Sequence, residues 1–277
     1  MISGHTKLIA HLGVPTESFK APMIYNPYFA DRDIDVCVMP MGCEAADFPA
    51  FLPLVFRLTN IAGALITMPH KVSVVDLLDE VSTTVKVCGA CNAVKRDAGG
   101  RLIGDMFDGE GFVRGVEHKG RSFAGASVIV VGAGGVGSAI AASAAKAGAT
   151  RLAVTDARAA SAERLATNLK AHYPTLTVET ETRDPAGFDI AVNATPMGMT
   201  PGDPLPMDLT HVDRSTFIGE VVMKAEETPF LAAARAKGCS TQIGTDMLFE
   251  QIPAYLEFFD LPSTTPDDLR RLAKIKY

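Results

Sequence analysis

The chain has 277 residues, of which 47% are hydrophobic and 21% charged; it is long enough for two modest domains, and this balance excludes an intrinsically disordered protein. A formal charge of −6 lacks the basic excess of a nucleic-acid binder, and no apolar run reaches membrane-spanning length. The opening "MISGHTKLIAHLG" shows no basic segment followed by an apolar one, so no signal peptide is expected, and five irregularly spaced cysteines suit a reducing cytoplasm.

Short apolar runs alternate with helical patterns, which predicts an α/β protein. The runs "KLIAHLG", "DVCVMPM" and "AGALITM" predict strands over 7–13, 35–41 and 62–68, with helices near 21–29 and 48–59 between them. The third strand ends in Thr67-Met68-Pro69-His70-Lys71, and an amphipathic segment follows at once, which places Lys71 at a predicted helix start. Cys88-Gly89-Ala90-Cys91 matches C-x-x-C, but no second pair or nearby histidine accompanies it, so it reads as buried thiols. The histidines are scattered and no metal is expected. "CNAVKRDAGGRLIGD" predicts a hairpin turning at Asp97-Ala98-Gly99-Gly100.

A second series starts at Ser127 with "SVIVVGAGGVGSAIAASAAKAGA", a strand, a glycine turn and a small-residue helix. Gly132-x-Gly134-x-x-Gly137 in that setting predicts a Rossmann dinucleotide site, because glycines let backbone N–H groups approach a pyrophosphate at a helix N-terminus. Asp156 closes the next strand about 20 residues on, where a carboxylate accepts hydrogen bonds from ribose hydroxyls. That carboxylate would repel a 2′-phosphate and so favours NAD; Arg158 is close enough to keep NADP open. Strands follow in "RLAVTD", "TLTVET", "FDIAVNAT", "TFIGEVV" and "STQIG". The chain ends in two helical segments, the first perturbed by Pro253. The predicted domains are 1–110 plus 247–277, and 111–246 with the glycine motif.

Read together, Thr67-x-Pro69-x-Lys71, Gly89-Ala90-Cys91-Asn92-Ala93, Gly104-Asp105-Met106-Phe107-Asp108-Gly109, the glycine motif, Asn193-Ala194-Thr195-Pro196-Met197-Gly198-Met199, Thr228-Pro229 and Met247-Leu248-x-x-Gln251 resemble the shikimate dehydrogenase family, with its quinate/shikimate relatives. The resemblance implies an N-terminal α/β substrate domain completed by C-terminal helices, a Rossmann domain between, and an active site in the cleft. It implies hydride transfer between a nicotinamide and a cyclic hydroxy or keto compound. It makes Lys71 and Asp108 the catalytic pair, with Asp105 a rival acid, and puts Thr67, Asn92 and Gln251 on the substrate's hydroxyls. It assigns Gly132, Ala133, Gly134, Gly135, Val136, Asp156, Thr195, Val221 and Gly244 to the cofactor. Relatives of this kind occur as monomers and dimers, which leaves a homodimer as one expectation.

Three departures concern the substrate. The family's Ser-x-Ser-Pro aligns with Phe19-Lys20-Ala21-Pro22, so both hydroxyls that grip a carboxylate are absent. A family tyrosine is replaced by Met223, with Glu220 and Ala225 also differing around it, and Met106-Phe107 stands where Asn-Thr is usual. Each lost hydrogen bond to a charged ligand costs about 1.5–3 kcal/mol. A retained catalytic pair beside a lost clamp implies a substrate other than shikimate: a less polar cyclic alcohol or ketone, or an anion held elsewhere, as by Lys20. An ordinary shikimate or quinate dehydrogenase is the alternative, and a non-catalytic NAD-binding sensor is a second of another class.

Overall fold

A computed structural model of the chain describes residues 2–224 and 227–275. The chain forms two compact units, Met1–Val85, Gly89–Phe107 and Ile252–Tyr277 in one, Lys86–Cys88 and Asp108–Gln251 in the other.

The first unit opens with β1 (Lys7–Gly13), α1 (Pro22–Asp31), β2 (Val36–Gly42), α2 (Phe48–Val55) and β3 (Ile61–Ile66). β4 (Glu80–Val81), α3 (Thr83–Cys88), β5 (Ala93–Arg96) and β6 (Leu102–Asp105) follow. The six strands form one mixed sheet in the order β2-β1-β3-β5-β6-β4. β1 runs parallel to both β2 and β3, and its residues from Ile9 to Gly13 are all buried, as an interior strand covered on both faces requires. The hairpin predicted around residues 97–100 is present: β5 and β6 pair antiparallel, and Asp97 N–H donates to the Arg101 carbonyl at 2.9 Å.

Lys71 does not start an α-helix. The chain turns over residues 68–72 and then forms a 3-10 helix, Ser73–Leu77, without a side-chain N-cap. Val72, Val74 and Val75 are β-branched and lose rotamer freedom in a longer helix.

The second unit carries α4 (Asp108–His118), β7 (Ser127–Val131), α5 (Gly135–Lys146), β8 (Arg151–Thr155), α6 (Ala159–His172), β9 (Thr177–Glu179), β10 (Ile190–Asn193), β11 (Phe217–Glu220), α7 (Pro229–Ala236), β12 (Thr241–Gln242) and α8 (Gly244–Glu250). Its sheet is parallel throughout, in the order β12-β11-β10-β7-β8-β9. That is the doubly wound order with β7 and β10 at the topological switch point.

The chain then returns to the first unit with α9 (Ile252–Phe258) and α10 (Pro266–Leu272). Pro253 stands in the first turn of α9, where its missing N–H is tolerated, so it ends one helix and begins the next. Phe107 packs edge-on against Tyr255 at 4.8 Å and Phe258 at 5.6 Å between ring centres. A Cβ built on Gly63 of β3 would lie 2.3 Å from the Phe259 ring, so the helices' aromatic seam needs a glycine opposite it. Among the described residues no helix is long and apolar enough to cross a membrane.

Candidate active site

The first unit gathers its functional side chains at the carboxyl ends of β1 and β3, where open α/β sheets hold ligands. Thr67 follows β3 directly; its N–H donates to the Leu12 carbonyl at 2.9 Å, and His70 N–H closes a turn on the Thr67 carbonyl at 2.9 Å. A Cβ on Gly13 would lie 2.4 Å from Thr67 Cγ2, so only a glycine lets the end of β1 meet this turn. Lys71 is half-buried, and its carbonyl accepts the Cys91 N–H at 2.8 Å. The next residue, Asn92, is fully buried; its carbonyl accepts Ile66 N–H at 2.8 Å and its Oδ1 accepts Phe107 N–H at 2.9 Å. Thr67, Lys71 and Asn92 are thus fixed in one backbone network of the same unit. Asp105, the rival acid, accepts Ser82 Oγ at 2.5 Å and Met106 N–H at 2.7 Å on its Oδ1.

The two positions that depart from the family's clamp are apolar and buried. Ala21 caps α1 without any side-chain hydrogen bond. Phe19 stacks on His11 with ring centres 4.1 Å apart. His11 is a residue the sequence did not single out. Burial, and next the Lys71 ammonium, lower its pKa to about 3, so the imidazole is neutral. Of the other departures, Met106 and Phe107 are core residues of the first unit, and Met223 is half-buried in the second; Ala225 lies outside the described residues.

In the second unit Asp108 is the first residue of α4 and is buried, a position that favours a carboxylate. Gly111 brings α4 against α8: a Cβ there would be 2.6 Å from both Gln251 Cβ and the Met247 carbonyl. Gln251 is buried, and its Oε1 meets no hydrogen-bond partner among the described residues.

The glycine loop follows β7. Gly132 has φ +109, and a Cβ on it would strike the Ala194 carbonyl at 2.6 Å. A Cβ on Gly137 would strike the Gly132 carbonyl at 1.8 Å, while Gly134 is exposed with open space beside it. Gly134 caps α5 with no side-chain hydrogen bond, which leaves the first-turn N–H groups of Gly135 and Val136 for a ligand. Asp156 braces the loop: its Oδ2 accepts Ala133 N–H at 2.8 Å and its Oδ1 accepts Arg158 N–H at 2.9 Å. Burial pushes its pKa up, but those two amides and the Arg158 guanidinium outweigh it, so the net shift is downward and the carboxylate is ionised. A glycine cradle, an uncapped helix start and an ionised acid at the end of β8 together fit a nicotinamide dinucleotide.

At the ends of β10 and β11, Asn193 Oδ1 accepts both Thr195 N–H at 3.0 Å and Thr195 Oγ1 at 2.7 Å, which fixes that threonine. A Cβ on Gly244 would meet the Val222 carbonyl at 2.2 Å, so α8 starts hard against the Val221–Val222 backbone. Glu220, also unforeseen as a buried acid, is fully enclosed and accepts Thr228 Oγ1 at 3.0 Å. Among the described residues no cluster of His, Cys, Asp or Glu could hold a metal ion.

Comparisons with known proteins agree with this layout. A family model described as the shikimate dehydrogenase substrate binding domain matches residues 12–94, the span that holds Phe19, Thr67, Lys71 and Asn92. The shikimate dehydrogenase (NADP(+)) of Salinibacter ruber is 36% identical over 90% of both chains. Among solved structures, shikimate 5-dehydrogenase from Listeria monocytogenes in complex with shikimate and NAD superposes with a TM-score of 0.91, at 26% identity over 98% of this chain and 97% of that one. The 5-ketofructose reductase of a Gluconobacter species gives 0.89, at 26% identity over 98% of both. With sequence kinship across nine-tenths of the chain and both folds in register with solved members, the protein belongs to the shikimate dehydrogenase family of nicotinamide-dependent oxidoreductases acting on CH–OH groups.

Proposed function

We propose that the chain interconverts an uncharged hydroxy ketone and its alcohol, with NAD preferred over NADP, rather than acting on shikimate. The observation that carries this reading is the ring of Phe19, buried on His11 where the family's clamp has a serine hydroxyl. An apolar, hydrogen-bond-poor wall does not repay the desolvation of a carboxylate. The 5-ketofructose reductase named above supports it, as a same-fold protein whose named substrate is a keto sugar. The ionised Asp156 supports NAD, since it faces a 2′-phosphate with like charge.

A bound nicotinamide supplies or accepts the hydride. Lys71 gives its proton to the substrate oxygen as the carbonyl is reduced and takes it back in oxidation. Asp108 is the carboxylate partner in that proton transfer. Thr67, Asn92 and Gln251 hold substrate hydroxyls. The Asn92 amide is oriented by its Oδ1, which accepts the Phe107 N–H. A homodimer is part of the same proposal, and light scattering on the purified chain tests it.

The deciding experiment supplies NADH or NADPH with 5-ketofructose, and NAD or NADP with shikimate and quinate, and follows nicotinamide absorbance. Turnover of the keto sugar well above shikimate supports the reading; rapid shikimate turnover refutes it. Tight NAD binding with no turnover of any substrate would favour a sensor.

A further inference from the structure

His11 lies in β1 two residues before Gly13, and its register partners are Pro40 of β2 and Leu65 of β3. Alternation along a strand puts His11 and Gly13 on one face. Gly13 is the residue whose missing Cβ leaves room for Thr67 Cγ2 and, at 3.2 Å, for Phe19 Cζ. His11, Phe19 and Thr67 therefore share one face at the carboxyl end of the first sheet.

His11 is 7% exposed, yet its buried Nδ1 meets no hydrogen-bond partner among the described residues. Buried polar groups without a partner are uncommon and destabilising, so one that persists beside a catalytic residue points to a ligand that completes it. Thr67 and Lys71 bracket the same turn, and the Lys71 charge reaches the ring.

We propose that His11 is a substrate-binding residue, exchanging a hydrogen bond with a hydroxyl of an uncharged polyhydroxy ketone while Phe19 walls the opposite ring face. A hydroxyl suits either tautomer, because it both donates and accepts. A carboxylate needs a donor with charge behind it, and a ring held neutral beside Lys71 does not supply that. Phe19 and His11 together exchange a clamp for anions for a polar edge on an apolar wall. This rests on the uncharged-substrate reading given above.

The test compares wild type, His11→Leu and His11→Asn, with 5-ketofructose plus NADH and shikimate plus NAD as probes. His11→Leu fills the volume but removes the polar edge; His11→Asn restores a hydrogen-bonding group. The expected result is a KM for 5-ketofructose raised about tenfold in His11→Leu, with kcat and the Kd for NAD changed much less, and most of the loss recovered in His11→Asn. Unchanged KM in a His11→Leu protein that melts as wild type does overturns the assignment to His11 while leaving the uncharged-substrate reading intact. Wild type that turns over shikimate and not 5-ketofructose overturns that reading, and the selectivity assigned to His11 with it.

Discussion

The carbonyl of Lys71 accepts the amide of Cys91 at 2.8 Å, so the backbone of the proposed proton donor is tied to the segment that carries Asn92. Replacing its side chain leaves that bond in place. Lys71→Ala is therefore expected to fold normally and to lose about 10²–10⁴ in kcat, the range of a missing general acid–base. The Kd for NAD, read by fluorescence titration, is expected to stay within about twofold. Equal losses in both quantities would remove the proton-transfer role.

Phe19→Ser with Ala21→Ser restores the two hydroxyls of the family's clamp. Each returns a hydrogen bond to a carboxylate worth about 1.5–3 kcal/mol. The double variant is expected to lower the KM for shikimate at least about tenfold and to raise that for 5-ketofructose. Steady-state kinetics on both compounds decide it; a variant still indifferent to shikimate shows that selectivity is set elsewhere.

Asp156→Asn keeps an acceptor for the Ala133 amide while removing the charge that opposes a 2′-phosphate. The ratio of kcat/KM for NADP to that for NAD is expected to rise by about tenfold or more. A ratio that does not move would place coenzyme choice on Arg158 or beyond.

Glu220 carries a pH dependence of stability. Burial raises its carboxyl above the ordinary value of 4.5, and the hydrogen bonds from Thr228 and Asn193 only partly offset that. Below the unfolded value both states are protonated and the group's contribution is complete. As pH rises toward and through the raised native value, the unfolded chain releases the proton first and the contribution is lost. Wild-type Tm is thus expected to fall relative to Glu220→Gln as pH rises above the ordinary carboxyl value of 4.5, by about 2–4 °C for each kcal/mol involved. Parallel melting curves against pH would exclude the linkage.

Much of this was readable from residue order. "KLIAHLG" and "SVIVV" are short apolar runs with a glycine where the strand must turn, and both strands lie where that pattern puts them. The glycine spacing carried its own geometry, since Gly132 and Gly137 are needed for backbone clearances that any Cβ would violate. What was not readable depends on contacts far apart in sequence. His11 looks like one more residue of an apolar strand until Phe19 folds back over it. Phe107 reads as a change near the substrate, yet its ring meets Tyr255 and Phe258, which no local pattern reveals. Lys71 drew a helix because Val72–Leu78 is amphipathic; five residues of 3-10 helix satisfy the same pattern.

The Phe107–Tyr255–Phe258 seam also has a bearing on biosynthesis. Its last members leave the ribosome only after the whole of Asp108–Gln251 has been made. Chains usually fold their amino-terminal domain first. Here Phe107 waits without its aromatic partners while Asp108–Gln251 is made, about 7–30 s at about 5–20 residues per second, and the inserted unit has every residue it needs and closes ahead of that seam.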